Sequence, residues 1–223
     1  MMKKTLSAAA VALMLSMNAG ATAILSPTAI IQNTLGDRDG FVDSGNIING
    51  SGLATGFTSG VTDFDTYLSG SPSHTLVAVD NEWFASNAVT SGFLDFDLGA
   101  DYTLDRVAIW NEDAAGVSRL EILTSLDSSF AVSTSHGFFS LTNNTRDVDY
   151  LADVLGLGGP VSARYVRFSI LGAYSDEQGA ANQASLGEVA FSVVTTDVPE
   201  PGTVGLMGLG LVGLGLRRRA RKS

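Results

Sequence analysis

The chain has 223 residues, 13 basic against 23 acidic side chains and a net charge of −10, and it contains no cysteine. That length allows one sandwich-sized domain with a proper core. The missing cysteines exclude disulfides, thiolate metal sites and cysteine nucleophiles, His74 and His136 are too few for a multi-histidine metal centre, and the acidity argues against nucleic acid held on a basic surface.

In chain order, Lys3 and Lys4 precede a mostly apolar run over 6–17, and Ala21-Thr22-Ala23 supplies a small-x-small end. This pattern predicts a secretory signal peptide over 1–23, carried by the Sec translocon and cut by signal peptidase after Ala23. The exported domain then covers 24–198. Without Lys3, Lys4, the five basic residues of the tail and Glu200 it keeps six Arg and 22 carboxylates, a net charge of −16. Such a surface is soluble and repels anionic polymers.

Residues 24–75 are rich in Gly, Ser, Thr and Asp. Ile30-Ile31, Ile47-Ile48 and the stretch 64–68 are the expected strand or packing points of an extended portion wrapped onto the domain. Around Gly40, the residues Asp37, Asp39 and Asp43 have the spacing of half a calcium loop. The opening ligand and the closing Glu are absent, so an acidic turn is the simpler reading.

Short strands follow. Residues 94–98 alternate apolar and acidic with period two, and Gly99 ends them. Further runs lie at 106–110, 119–124, 164–170 (Val166, Phe168 and Ile170 on one face) and 188–193 (Val189, Phe191 and Val193 on one face). Many short strands with little helix predict an all-β sandwich. At 147–155, Val148, Leu151, Ala152 and Leu155 fit a helical stripe with Gly156 as a stop, which predicts one short helix.

The tail has three unlike features in a fixed order. Pro199-Glu200-Pro201 is a stiff boundary, residues 202–216 carry no charge and six Gly, and a basic cluster of Arg217, Arg218, Arg219, Arg221 and Lys222 closes the chain. At ~1.5 Å per residue the apolar run covers about 22 Å, short of a ~30 Å hydrocarbon core. The basic end stays cytoplasmic and leaves the domain outside. These residues resemble the PEP-CTERM sorting signal of Gram-negative bacteria. The resemblance implies a short transmembrane sorting helix, recognition by an exosortase-type membrane protease, transient inner-membrane anchoring, and release to the cell surface or extracellular matrix of a bacterium that makes exopolysaccharide. An ordinary anchor without processing shares the topology.

From residue 78 onward the order of features resembles the discoidin, or coagulation-factor type C, family of galactose-binding-like jelly rolls. Val79-Asp80-Asn81 with Trp83 and Ser86, the run Leu94-Asp95-Phe96-Asp97-Leu98-Gly99, then Ala163-Arg164-Tyr165-Val166-Arg167-Phe168 and Leu186-Gly187-Glu188-Val189-Ala190-Phe191 carry the likeness. It covers about 78–194 and implies a discoidin-like jelly-roll β-sandwich whose loops at one end bind ligand, commonly a glycan, with Trp83 as a packing residue. It also implies a structural Ca²⁺ shared by Asp80 and Glu188, against the plainer reading of a surface Asp and an Arg-paired Glu. Trp110, Asn111, Glu112 and Asp113 put an aromatic face beside carboxylates and an amide at a strand end. With Tyr174 they are the expected carbohydrate contacts, although a lone Trp in a small sandwich is often core. No nucleophile elbow, His-Glu-x-x-His or phosphate loop is present. The reading is therefore an exported, non-catalytic protein that contacts extracellular polysaccharide in a biofilm matrix, or a structural surface protein that binds nothing.

Overall fold

A computed structural model describes residues 22–38, 43–78, 80–175 and 183–194. In chain order it contains β1 (Thr22–Leu25), β2 (Ala29–Asn33), a 3-10 turn (Ser44–Ile48), α1 (Phe64–Ser69), β3 (Trp83–Phe84), β4 (Gly92–Trp110), β5 (Val117–Ser125), β6 (Thr134–Ser140), β7 (Ala152–Ala173), β8 (Ser185–Leu186) and β9 (Glu188–Val194).

Two long strands make one sheet into two layers. β4 has 19 residues and β7 has 22, and their antiparallel register breaks between Asp97 and Tyr102 and again between Leu104 and Arg106. Gly99 lies inside the first break with φ +88°, a conformation that favours glycine. Bulges bend a strand, so each long strand serves both layers. In the first layer the order is β2, the start of β4, the end of β7, β5 and β6; in the second it is β1, β9, the end of β4 and the start of β7. The isolated pair β3–β8 matches Trp83 with Leu186.

Period-two alternation fixes which side chains meet between the layers. Leu94, Phe96, Val166, Phe168 and Ile170 from the first layer pack with Val107, Ile109, Val189, Phe191 and Val193 from the second. The rings of Phe96 and Phe168 lie 5.0 Å apart edge to face, and Phe191 reaches across to within 6.2 and 6.3 Å of them. Truncating any of the three to Ala opens a cavity at a cost of about 3–5 kcal/mol. Trp83 is fully buried, as the resemblance implied.

The second layer is covered on its outer face too. Ala108, Trp110, Ala190 and Ile24 meet Phe64 and Tyr67 of α1 and Tyr150 in a smaller cluster. α1 starts where the Asp63 carboxylate accepts the Thr66 N–H at 2.8 Å and ends at Gly70. Arg106 of β4 holds it down, stacking on Phe64 at 4.8 Å and pairing with Asp65 at 2.6 Å. The N-terminal portion thus adds a strand to each layer and a helix to the back of one.

The helix expected at 147–155 is replaced by a turn leading into β7. Residues 152–156 pair with 106–110 of β4, so the sheet supplies the backbone partners that a helix would have supplied internally. Val and Leu serve either structure, and tertiary pairing decides between them. Val148 and Leu151, which the helical stripe would have buried, are about half exposed. Among the described residues no helix is long and apolar enough to cross a membrane. The expected sorting segment at 199–223, with Pro199, Glu200 and Pro201, lies outside the described residues, as does Ala21; Ala23 sits inside β1.

A candidate ligand-binding end of the sandwich

The loop that leaves β4 is built inward. Trp110 is fully buried, donates its ring N–H to the Pro72 carbonyl at 2.9 Å and meets Tyr67 edge-on at 6.4 Å. Asn111 donates its amide to the carbonyls of Val117 (3.0 Å) and Thr142 (2.7 Å). One oxygen of Glu112 accepts from the Ala114 and Ala115 N–H groups and from the Ser185 hydroxyl at 2.7–2.9 Å. Asp113 accepts the Val77 N–H at 3.0 Å and the Asp147 N–H at 2.6 Å. Gly116 lets this knot close, because a Cβ there would lie 2.5 Å from the Glu112 carbonyl oxygen. Tyr174 donates its hydroxyl to the Leu141 carbonyl at 2.7 Å. The expected carbohydrate contacts Trp110, Asn111, Glu112 and Asp113 are therefore turned to the interior, and with Tyr174 they fasten segments 72–77, 141–147 and 185 to one another. A polar group at a strand end is satisfied either by ligand or by neighbouring backbone, and here the backbone takes it.

What this knot supports is an open hollow of about 360 Å³ along 142–153. Its polar groups include Thr142, Asn144, Asp149 and Asp153, and its apolar walls include Val148 and Leu151. Asp153 fixes Thr142 by accepting from its N–H (2.8 Å) and its hydroxyl (2.6 Å). Asn144 donates to the Asn111 carbonyl, and Asp149 accepts the Leu76 N–H at 3.1 Å. Each of these side chains keeps further acceptor or donor capacity. The expected helix at 147–155 hid this hollow from the sequence reading. The acidic-and-amide spacing of Asn144, Asp149 and Asp153 was the signal available.

Beneath the hollow lies a layer of buried ionisable groups. His74 stacks on Tyr150 with centroids 5.1 Å apart, and its Nδ1 lies 3.7 Å from a Glu82 oxygen. Both His74 and Glu82 are fully buried. Burial pushes the imidazole below its ordinary pKa and the Glu82 carboxyl up to about 7, so at neutral pH His74 is uncharged and the contact is no full ion pair. Burial, with Asp113 adding to it, raises Glu112 to about 8, and burial raises Glu188 to about 8. Tyr150 is pushed up, first by burial and then by the charges of Glu112, Glu82, Asp113 and Glu188.

The expected calcium pair divides. Glu188 is fully buried; one of its oxygens accepts the Gly50 N–H at 2.7 Å and the other, Oε1, has no hydrogen-bond partner. A hard cation takes such an oxygen. Asp80 is exposed in a turn with φ +68°. Among the described residues no group of three or more His, Asp or Glu side chains is arranged to hold a metal. Glu188 offers a buried oxygen, whereas Asp80 stands exposed. In the acidic turn, Asp37 accepts from Asn33, Ser44 and the Trp83 ring N–H, and Asp43 caps the 3-10 turn through Gly45. Those two carboxylates are occupied structurally, and Asp39 lies outside the described residues.

Residues 197–219 match the PEP-CTERM protein-sorting motif. The motif marks a chain that is exported and sorted to the cell surface with exosortase processing. No curated protein matches the chain significantly. Among solved structures the chain is similar to the family 32 carbohydrate-binding module of C. perfringens NanJ in complex with galactose. Identity is 13% and the TM-score 0.44, over 77% of this chain and 91% of that one. It is also similar to chitosan-binding module 1 of a chitosanase/glucanase from Paenibacillus sp. IK-5, at 18% identity and TM-score 0.43, over 77% and 93% of the two chains. A third is CBM32-3 from a family 31 glycoside hydrolase of Clostridium perfringens, at 18% identity and TM-score 0.39, over 50% and 74%.

Proposed function

We propose that the domain binds carbohydrate without catalysis through the hollow along 142–153, and that its ligand is an extracellular polysaccharide of the matrix around a Gram-negative cell. The observation that carries this reading is the hollow itself. Carboxylate, amide and hydroxyl groups stand beside the apolar Val148 and Leu151, on a floor held by partly buried hydrogen bonds. A sugar presents the complementary pair of surfaces, hydroxyl edges and C–H faces. Because the floor is fixed before binding, little ordering cost falls on the ligand step. The route is export through the Sec translocon, transient anchoring in the inner membrane by the tail, and exosortase processing near Pro199-Glu200-Pro201. Glu188 serves as one ligand of a structural Ca²⁺ in this reading, beside the site rather than in it.

The experiment is titration of the secreted domain with a glycan array and with purified host polysaccharide, followed by amide shifts of residues 142–153. Saturable binding with shifts confined to that segment supports the reading. A second reading, a structural matrix protein that binds no sugar, is favoured by one observation: Tyr150, the aromatic residue of the hollow, is buried, so its ring is poorly placed for stacking. Absence of any saturable ligand would establish it.

A further inference from the structure

β1 carries an inference about where the mature chain begins. All four of its residues, Thr22–Leu25, are buried, and each pairs with β9 in unbroken register: Thr22 with Val194, Ala23 with Val193, Ile24 with Ser192 and Leu25 with Phe191. Ala23 also bridges to Asp63, and the Thr22 hydroxyl donates to an Asp65 oxygen at 3.3 Å. A cut after Ala23 would remove half of this strand.

The charge created by cleavage decides more sharply than the lost pairs. A new N-terminus is an ammonium at neutral pH. On Ile24 it would sit on a residue with no solvent exposure, inside the cluster of Phe64, Tyr67, Ala108 and Trp110, with the Thr62 carbonyl at 2.9 Å as its partner. An ion placed there without a counter-charge carries a heavy desolvation cost. On Thr22 it would lie next to Asp63, which bridges to Ala23, and near Asp65, which already accepts the Thr22 hydroxyl. The Asp63 carboxyl is held below its usual range chiefly by the Thr66 hydroxyl and N–H, and in part by the backbone N–H of Thr22 itself. Asp65, with its side chain 63% exposed, accepts the Thr22 hydroxyl and is also paired with Arg106, so Asp63 is the carboxylate left to answer the ammonium. Ala19-Gly20-Ala21 immediately before Thr22 is a second small-x-small sequence.

We propose that signal peptidase cuts between Ala21 and Thr22, and that Asp63 forms an acidic clasp for the α-ammonium of Thr22 released by that cut. In the hydrolysis the bond from the Ala21 carbonyl carbon to the Thr22 nitrogen breaks. Water supplies a hydroxyl to the carbon and a proton to the nitrogen, and the new carboxyl group then gives up its own proton to the amine, which leaves a carboxylate on the departing peptide and an ammonium on the domain. The clasp makes processing and folding cooperate: while the leader is attached Thr22 offers one neutral N–H, and after the cut it offers a cation with three N–H donors.

The test is expression of the full chain with its own leader in a Gram-negative host, followed by N-terminal sequencing of the exported protein. The expected first residues are Thr22-Ala23-Ile24; a chain starting at Ile24, or at any other position, overturns the cleavage site. The clasp is read separately, from the titration of the Thr22 α-amine by NMR in the processed protein and in Asp63→Asn. Asn caps a helix as well as Asp, so α1 and the fold are retained. The expected amine pKa lies above the ordinary ~7.7–8.0 and falls back toward it in the variant. An amine titrating at its ordinary value in both proteins overturns the clasp even if the N-terminus is Thr22.

Discussion

Arg167 and Asp95 face each other across β7 and β4, joined by two parallel hydrogen bonds of 2.6 and 2.7 Å, with the Asp95 side chain 1% exposed. The guanidinium is sandwiched as well, 3.9 Å from the Phe93 ring centre and 4.4 Å from that of Phe130. On an otherwise solvent-facing side of the sheet, this stack shields a carboxylate that water would otherwise cover. Removing one partner leaves the other charge buried and unpaired. Arg167→Met is therefore expected to destabilise the fold by about 3–5 kcal/mol. The double variant Arg167→Met/Asp95→Leu is expected to recover most of that loss. Urea denaturation of the single and double variants checks the coupling; equal losses would mean that the pair contributes nothing beyond packing.

The hollow gives a prediction on binding alone. Leu151 is 52% exposed and lies outside any strand, so Leu151→Arg fills the hollow with little strain. Exposed substitutions of this kind stay within about 0.5 kcal/mol of wild type. The expected outcome is an unchanged melting point with glycan binding weakened at least about tenfold, which is ~1.4 kcal/mol of binding energy. Calorimetric titration with the ligand found on the array reads it.

A pH dependence follows from Glu112, which burial raises to about 8 from an ordinary carboxylate value. A raised pKa means that the folded state holds its proton after the unfolded chain has lost it. The stabilising contribution is complete below the unfolded pKa of about 4.5 and is lost as pH rises toward the folded value. The slope is about 1.4 kcal/mol per pH unit at most for one proton. Melting points taken between pH 5 and pH 8.5 are expected to fall, and to fall less steeply in Glu112→Gln. An identical slope in the variant would assign the loss to other groups.

The strands were legible because alternation is a local signal. Leu94, Phe96, Val166 and Phe168 announce their buried face by period two, and Asp95, Asp97, Arg164 and Arg167 announce the other. Which strand pairs with which is not local, so the Asp95–Arg167 and Asp97–Arg164 partnerships appear only when β4 lies beside β7. The segment 147–155 misled because Val148, Leu151 and Leu155 satisfy a helical period by chance, while the deciding partners, residues 106–110, lie about 45 positions away. Trp110–Asp113 misled in another way. Composition says that polar groups meet at a strand end, but whether they turn to solvent or to backbone depends on Thr142, Asp147 and Ser185, which only folding brings near. The sorting tail was fully legible, since its order of Pro-Glu-Pro, apolar stretch and basic cluster is itself the signal.

Calcium provides the remaining prediction. Glu188 keeps one buried oxygen without a hydrogen-bond partner, and burial holds its carboxyl up to about 8 when no cation is near. A bound Ca²⁺ must displace that proton, so its affinity rises with pH. A ligand that binds only the folded state stabilises by RT ln(1 + [L]/Kd), about 2.7 kcal/mol at a hundred times Kd. For a domain of this size that raises the melting point by roughly 5–10 °C. The expected result for the secreted protein is such a rise on replacing EDTA with millimolar CaCl₂ at pH 8, and a smaller one at pH 6. Glu188→Gln keeps an oxygen that can accept the Gly50 N–H and loses the charge. It is therefore expected to be more stable than wild type in EDTA at pH 8, where the buried carboxylate no longer has to hold a proton against solvent, and to lose the calcium response. A wild-type midpoint indifferent to calcium at both pH values would remove Glu188 as a metal ligand. A calcium shift surviving in Glu188→Gln would put the cation at another group of carboxylates.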